Sequence, residues 1–592
     1  MTGMRAKDAA APQPIGQEGV SPYAWYVLAI LFLVYVLNFI DRQILAILAE
    51  DIRRDLDLTD ADIGFLFGTA FGVFYALFGI PLGRLADSWH RVRLMSIGLA
   101  LWSAMTALSG FARSGLTLSG ARIGVGIGEA TASPAAYSLI SDWFPPRLRA
   151  TALAIYSSGI YIGGGLSLFI GGLVVERWDR VYPDHSGPMG LAGWQAAFLA
   201  VGVPGLILAI LVATLREPIR GQSEGGGAAG PPPSTAGFVT ELLTVIPPLS
   251  LIGAARRGTH ALVRNLLVLL LVTCVVAMLV LLVGEPLAQW AAVGIGVYAV
   301  FSWGDALRSR DGATFDLTFG SRAFVAVVVA YGLNALVGYS MAAFAPSYAR
   351  RSFGLSADEV GLWVGLPAAI AGFIGVTMGG RIADALRRRH VSGRIAVILF
   401  GAIAPAFFIV AAFTASSAGL FFLFNVLTIA SGSSALGAAA ATTQDLVLPR
   451  MRGSATAIFF VGTTLLGLAI GPYMAGRISS LSGSLATGIL SLLVTVPVAA
   501  LVALLAIGYP MLKAVDMIPS ERLLAAAASI ETERANSLKF RFDNEDMLLE
   551  RAYEKPVFGW GSWGRNMIYN DITGAIETIT DGRWILVMGK YG

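Results

Sequence analysis

The feature that most constrains this chain of 592 residues is a succession of long apolar runs that carry few or no charged side chains. Two groups of six runs are separated by a further pair, and most runs reach about 18 residues. In chain order they are 23–48, 63–80, 94–112, 116–140, 151–175, 194–215, then 266–283 and 288–303, then 323–345, 360–378, 395–414, 419–443, 454–476 and 485–507. Such runs predict helices that cross a bilayer.

The composition agrees with a membrane protein. Of all residues, 56% are hydrophobic and 14% are charged, and the mean hydropathy is +0.70. Soluble domains carry about 25% charged residues, so this chain needs lipid around its apolar surface. The net charge of +4 is small and scattered, and no basic run is interleaved with aromatic residues. We therefore expect no nucleic-acid partner.

The runs divide the chain into five predicted regions. These are a cytoplasmic N-terminal segment (1–22), a six-helix bundle (23–215), a linker with an extra transmembrane hairpin (216–320, with the hairpin at about 266–303), a second six-helix bundle (321–509) and a cytoplasmic tail (510–592). The Gly/Pro-rich stretch 221–235 is expected to be flexible. Arginines concentrate in the loops of one side, which predicts a multi-pass protein of the cell (inner) membrane with both termini cytoplasmic.

A repeat relates the two bundles. The segment GRLAD at 83–87 recurs as GRIAD at 380–384, 297 residues later, and the pattern Asp-(x)3-Pro-Arg-x-Arg at 142–149 recurs at 445–452. Thr59 with Asp62, and Ser356 with Glu359, form predicted capping boxes at the first of these offsets. Matched elements in matched loops predict parallel repeats related by an axis along the membrane normal.

The loop residues of the repeat are predicted to form conformational gates between helix ends. They are Gly83, Arg84, Asp87, Arg91, Arg93, Asp142, Arg147, Arg149, Gly380, Arg381, Asp384, Asp445, Arg450 and Arg452. The alternative is that these charges only anchor the topology.

Four ionisable residues lie inside predicted spans, away from the helix ends. They are Asp41 and Arg42 in the first run and Arg122 and Glu129 in the fourth. Charged groups at such positions are costly and usually functional. The two carboxylates are candidate proton carriers, and the two guanidiniums are candidate anion-binding groups. Alternatively, the four residues form a fixed salt-bridge network that holds the first bundle together.

The second bundle carries no charge at the matching positions, which are Gly338, Tyr339, Asn425 and Gly432. Further residues predicted to contact the substrate are Asn38, Tyr331, Asn334 and Tyr339, with ordinary packing as the alternative for the last three. The histidines are dispersed and there is no P-loop, so we expect no metal, no cofactor and no catalytic residue.

These motifs resemble a known family. GRLAD with Arg91 and Arg93 resembles the loop motif between the second and third helices of the major facilitator superfamily, although His90 stands where that motif usually has Gly. The segments 38–42 and 122–130 are similar to the spinster-like transporters, a branch associated with sphingosine 1-phosphate and lysophospholipid transport. The resemblance implies an all-α polytopic fold of two pseudo-symmetric six-helix bundles, here with an extra central hairpin, and no enzyme activity.

The expected function is proton-coupled secondary transport of an amphiphilic anion by alternating access. The expected partners are an amphiphilic lipid or organic-anion substrate, protons and membrane lipid. One alternative is an exchanger of small organic anions or drugs, and another is a membrane sensor that signals through its tail. Tail segments 541–546, 556–561 and 580–584 resemble a fragment of the O-antigen ligase/polymerase family, but a glycan ligase would need catalytic residues that the sequence does not show.

Overall fold

The computed structural model describes residues 20–504 apart from 184–185, 222, 224–234, 390–392 and 449–450, together with residues 539 and 543. Within this part of the chain the regular elements are all helices, and 13 helices are long and apolar enough to cross a membrane. The predicted fold class is confirmed. The predicted N-terminal segment and tail lie almost entirely outside the described residues.

The first bundle is built from seven helices. They are α1 (Pro22–Asp55), α2 (Asp60–Ser88), α3 (Arg91–Ser109), α4 (Gly115–Glu129), α5 (Ala132–Trp143), α6 (Pro146–Val181) and α7 (Gly193–Ala213). The fourth predicted span is thus divided between α4 and α5, and the break follows directly after Glu129. Helix α2 contains a π-helical turn at Phe65–Thr69.

An accessory segment follows the first bundle. It comprises α8 (Ala236–Val245), α9 (Leu249–Arg257), α10 (Thr259–Val283), α11 (Leu287–Arg310) and α12 (Gly312–Leu317). Helices α10 and α11 are the predicted extra hairpin, whereas α8, α9 and α12 are additional elements within the predicted linker. Each of the three is too short to span a membrane alone. Helices α8 and α9 are together long and apolar enough to form a broken span or a re-entrant loop, and they are bent by 99° relative to each other.

The second bundle has six helices. They are α13 (Arg322–Phe353), α14 (Ala357–Arg387), α15 (Gly393–Phe413), α16 (Ala418–Asp445), α17 (Arg452–Ser482) and α18 (Leu485–Ala503). Helix α17 contains a π-helical turn at Thr464–Leu468, followed by Pro472 at the start of the next α-helical stretch.

The predicted capping boxes are present in both bundles. The Thr59 hydroxyl accepts a hydrogen bond from the amide of Asp62 at 3.2 Å, and the Asp62 carboxylate accepts one from the amide of Thr59 at 2.9 Å. Ser356 and Glu359 make the same exchange. Each box satisfies amide groups that the start of a helix leaves without partners, which explains why the pattern recurs at both positions.

The bundles meet closely on one face of the membrane, where α1 ends and α2 begins, here called the first-loop side. Arg350 at the end of α13 binds Asp51 at 2.7 Å, and Arg351 binds Glu50 at 2.6 Å. Gly64 allows α2 to approach α17, because a Cβ atom there would lie 2.3 Å from the Pro472 carbonyl oxygen. The described conformation is therefore closed between the bundles on this side.

The opposite face carries the GRLAD and GRIAD segments and is here called the GRLAD side. A repeated ion pair supports the pseudo-symmetry there, because Arg91 binds Asp142 in the first bundle and Arg394 binds Asp445 in the second. Both members of the second pair lie 303 residues after those of the first. Near these ends of α2 and α14, a Cβ atom on Gly79 or Gly380 would meet nothing within 4 Å.

Candidate functional site

The structure brings the four intramembrane charges together between α1 and α4. Asp41, Arg42, Arg122 and Glu129 are all buried, with exposures of 0%, 8%, 1% and 1%. The turn geometry of α1 places the side chains of its two adjacent residues about 100° apart, so they contact different surroundings. The site consequently has two compartments, one around Arg42 and one around Asp41.

The first compartment is a direct ion pair. Arg42 donates from Nη2 to Glu129 Oε2 at 2.8 Å and from Nε to the same oxygen at 3.3 Å. The other carboxylate oxygen, Oε1, makes no hydrogen bond within the described structure, and Asn38 lies beside the carboxylate. Glu129 therefore keeps one oxygen free for a proton or a further donor.

Aromatic rings enclose the Arg42 guanidinium. Its central carbon lies 4.8 Å from the ring centroid of Phe39, 4.7 Å from that of Phe71 and 4.8 Å from that of Tyr75. Cation–π contacts of this kind stabilise a desolvated guanidinium by about 0.5–2 kcal/mol each. Arg42 can thus keep its charge in the membrane interior when its carboxylate partner is neutralised.

Arg122 has a different set of partners. It donates from Nη1 to the backbone carbonyl of Asp41 at 3.1 Å and from Nε to that of Leu66 at 3.5 Å. Its guanidinium also lies 5.3 Å from the Phe71 ring, and no carboxylate oxygen of the described chain lies within 4 Å. These contacts connect α4 to α1 and α2. Arg122 therefore joins helices, as the salt-bridge alternative expects, but it does so through backbone carbonyls rather than through a carboxylate.

Asp41 occupies the second compartment. Neither of its carboxylate oxygens makes a hydrogen bond within the described residues, although the Thr106 hydroxyl and the Trp102 indole of α3 lie beside it and are likewise unsatisfied. A buried carboxylate without partners is unfavourable when ionised. In this conformation the described residues leave the Asp41 carboxylate without the hydrogen-bond donors that an ionised carboxylate needs.

The remaining predicted contact residues lie on α13. Tyr339 interacts electrostatically with Arg42 and Tyr75 of the first bundle. Tyr331 packs on Phe459 with ring centroids 5.3 Å apart, so it belongs to the apolar packing of the second bundle. Asn334 is half-buried on the same helix.

The sequence analysis missed the aromatic enclosure of Arg42. Phe71 and Tyr75 are four residues apart on α2, a spacing that places them on one helix face. That spacing was visible in the sequence, but nothing in it indicated that this face meets Arg42. Trp102 and Thr106 of α3, also four residues apart, were missed for the same reason.

The predicted gate residues of the first bundle centre on Arg91. It binds Asp142 and also Glu217, with 2.7 Å between Nε and Oε1, and Glu217 was not predicted. Asp87 is exposed and has no cationic nitrogen within 4 Å in the described chain. Asp87 thus forms no ion pair within the described residues in this conformation.

The other gate residues divide into paired and exposed groups. Arg149 donates to the Ser141 carbonyl at 3.0 Å, and Arg394 binds Asp384 at 3.1 Å in addition to Asp445. The exposed members are Arg84, Arg93, Arg147, Arg381 and Arg452. A Cβ atom on Gly83 would lie 3.9 Å from Pro134, and Arg450 lies outside the described residues.

Replacing Asp87 by Asn tests the gate. Because Asp87 is unpaired here, the change should leave this conformation intact and weaken only a state in which the GRLAD side closes. We expect slower exchange and a population shifted toward the described state by about two- to fivefold, since a partly exposed ion pair contributes up to about 1 kcal/mol. Distance measurements between spin labels on the GRLAD side report the shift, and exchange kinetics equal to wild type would contradict it.

No metal centre is found in the part of the chain that the structure describes, where no three His, Cys, Asp or Glu side chains converge.

The family model of the Major Facilitator Superfamily matches residues 31–338 and 323–516. The chain belongs to the Major Facilitator Superfamily. An MFS-type efflux pump of Mycolicibacterium smegmatis is 29% identical over 458 residues, which cover 77% of this chain and 84% of that protein. Protein spinster of Drosophila melanogaster is 30% identical over 217 residues, or 37% of this chain and 33% of that protein. A probable galactarate/D-glucarate transporter of Bacillus subtilis is 29% identical over 219 residues, or 36% and 44%.

Solved structures share the fold of this superfamily member. Two crystal structures of a bacterial homologue of the human lysosomal transporter Spinster, both inward-facing, one unoccupied and one occupied, align with TM-scores of 0.61 and 0.62. Each is 24% identical to this chain. Each alignment covers 82% of this chain, with 98% of the unoccupied structure's chain and 97% of the occupied one's. The superfamily and spinster resemblances are confirmed, and the chain is a multi-pass membrane transporter rather than an enzyme.

Proposed function

We propose that this chain couples proton movement to the transport of an amphiphilic anion, such as a lysophospholipid or a sphingoid phosphate. The observation that carries the proposal is the buried pair of Arg42 and Glu129, in which a cation held by aromatic rings faces a carboxylate with one free oxygen. Such a pair gives one guanidinium two possible partners, the carboxylate or an anionic ligand.

The coupling follows from competition for Arg42. When Glu129 is ionised, it occupies the guanidinium and an anionic headgroup is excluded by charge repulsion. When Glu129 takes a proton, the attraction between the two side chains falls and the donors of Arg42 become available. Proton binding and anion binding therefore favour each other at this pair.

Asp41 supplies a second candidate proton position. Its carboxylate is separated from the Arg42 pair by the turn of α1, while Arg122 contacts the carbonyl of the same residue. Ionisation of Asp41 would draw the unsatisfied Nη2 of Arg122 toward it, and that shift would pull on the contact between α1 and α4. In this proposal the two carboxylates exchange protons in different conformations.

The substrate class follows from the asymmetry of the bundles. The first bundle contributes buried charges, whereas the equivalent positions of the second are uncharged, with Asn425 at 2% exposure. A ligand with an anionic head and an apolar chain matches both walls, because the head binds the guanidinium and the chain contacts apolar side chains. From the arginine bias of the loops, we propose that the chain lies in the cell (inner) membrane. The GRLAD side and both termini then face the cytoplasm.

A second candidate is transport of small organic anions. The similarity to a probable galactarate/D-glucarate transporter favours it, because a sugar diacid would also bind a guanidinium. The two candidates differ in the apolar chain of the ligand, which only the amphiphile possesses.

The test is uptake and efflux in proteoliposomes of stated composition, with and without a pH gradient. Lysophosphatidate, its neutral monoacylglycerol counterpart and glucarate are compared in the same preparation. We expect pH-driven movement of lysophosphatidate alone. Movement of glucarate would favour the second candidate, and saturable binding of a ligand without any movement would favour a sensor.

A further inference from the structure

The accessory hairpin lies across the seam between the two bundles rather than beside one of them. Its outer arm, α10, has no buried residue in its most apolar 18-residue window, whereas half of the corresponding window of α11 is buried. The inner arm α11 packs in one apolar cluster with Val73 and Leu77 of α2, and with Phe459 and Ala469 of α17. It therefore contacts α2 of the first bundle and α17 of the second bundle at once.

A buried polar contact joins the three elements. The hydroxyl of Thr69 on α2 lies 2.6 Å from Gln289 Oε1 on α11 and 2.6 Å from the carbonyl oxygen of Ala469 on α17. The Gln289 amide nitrogen donates to the same carbonyl at 3.4 Å. Gln289 is 1% exposed and Thr69 is fully buried. Water does not reach these atoms, so the contact cannot be replaced by solvent without separating the helices.

The contact lies where both helices depart from regular α-helical geometry. Thr69 ends the π-helical turn of α2, and Ala469 directly follows that of α17. Gly296, about two turns further along the same face of α11, fits the same seam, because a Cβ atom there would lie 2.8 Å from Leu465 and 3.5 Å from Val73. The inner arm is thus shaped to the closed arrangement of α2 and α17.

Each end of the hairpin is fastened to its surroundings. In the turn on the first-loop side, Glu285 accepts hydrogen bonds from Tyr473 at 2.5 Å and Arg477 at 3.1 Å, both on α17. Burial alone would raise the pKa of Glu285, but these hydrogen bonds outweigh it and hold the pKa below its usual range. On the GRLAD side, Arg310 of α11 binds Glu241 of α8 at 2.6 Å, and α8 packs on α2.

We propose that the α10–α11 hairpin is a strap that stabilises the state in which the bundles are closed on the first-loop side. Opening this side separates α2 from α17. Gln289 cannot then both accept a hydrogen bond from Thr69 and donate one to the Ala469 carbonyl. The strap must release one bundle in each transport cycle. The free energy of these contacts therefore sets the fraction of molecules that are closed on this side before any ligand binds.

The experiment measures this population in the full chain without ligand. Spin labels are placed on Cys at Leu116 and Leu481, which are 84% and 70% exposed at first-loop-side ends of the two bundles, after Cys274→Ser removes the single native cysteine. In nanodiscs we expect Gln289→Met to raise the ratio of molecules with a long distance between the labels to those with a short distance. The increase over the labelled protein without this substitution should be at least about fivefold. Methionine keeps the length of the side chain, and Thr69 can still donate to the Ala469 carbonyl.

A matched control is Thr273→Val on α10, where the lost hydroxyl bonds only within its own helix at 2.8 Å. It should leave the distance ratio unchanged. Tyr473→Phe, which loosens the turn from α17, should shift the ratio in the same direction as Gln289→Met and provides a second measurement if that variant does not fold. If both variants show the same ratio as the labelled protein without these substitutions, the proposal that the hairpin acts as a strap is wrong. Because no substrate is present, this outcome is independent of the proposed substrate and its coupling.

Discussion

Glu129→Gln is expected to abolish transport driven by a pH gradient while the protein stays folded. The amide can still accept a hydrogen bond from Arg42, but it can neither take up nor release a proton. The three aromatic rings around Arg42 continue to stabilise its charge. We therefore expect the variant to lose less than the about 3–5 kcal/mol that removal of one partner of a buried ion pair typically costs. The measurement is uptake in proteoliposomes with an imposed gradient.

Asp41→Asn provides the matched comparison, because it makes the same change of carboxylate to amide in the second compartment. If Glu129 alone carries the proton, Asp41→Asn retains a pH-driven component. If both variants respond normally to a pH gradient, neither carboxylate couples transport, and the four charges are a structural network. Thermal unfolding in detergent separates loss of coupling from loss of folding.

The fold was predictable because each of its signals is local. An apolar run of bilayer length must form a helix, since lipid offers no partner for an unpaired backbone group. The capping boxes at Thr59 and Ser356 need only the residues three positions onward. Helices α8 and α9 give a weaker signal, because each is too short to span a membrane alone and the chain bends by 99° between them.

The pairing of the charges was not predictable in the same way. Arg122 and Glu129 lie on one face of α4, which placed both near α1 but did not identify their partners. The pairs depend on the rotation of α1, which directs Arg42 to Glu129 and the Asp41 carbonyl to Arg122. That rotation is decided mainly by the packing of α1 against α6, which no local pattern in the sequence reports.

From their different partners, we propose different tasks for the two arginines. Arg122 donates to carbonyls of α1 and α2, which are fixed parts of the bundle. Arg42 instead contacts a carboxylate that can be neutralised, and rings that tolerate rotation of the guanidinium. Both arginines were predicted as anion-binding residues, and the geometry favours Arg42 for that role. The distinction leads to an expected difference between their variants.

Removing the Arg42 charge should weaken binding of phosphate-headed lipids far more than of neutral lipids with the same chain. The appropriate variant is Arg42→Gln combined with Glu129→Gln, because it removes both charges and leaves no unpaired buried carboxylate. Hydrogen bonds to charged groups contribute about 1.5–3 kcal/mol each, so the phosphate-headed ligand should lose about 10- to 100-fold in affinity. The neutral ligand, held by its chain, should change less than about threefold.

Titrations in nanodiscs with lysophosphatidate and the matching monoacylglycerol measure this difference. Arg122→Gln is the comparison variant, and it should weaken both ligands to a similar degree, because its donors serve the helix carbonyls rather than a headgroup. An equal loss for both ligands in the double variant would mean that Arg42 also holds helices together. The anionic headgroup would then have to bind elsewhere, since Arg42 and Arg122 are the arginines buried inside the described spans of the first bundle, away from the helix ends, and only Arg42 of the two is paired with a carboxylate.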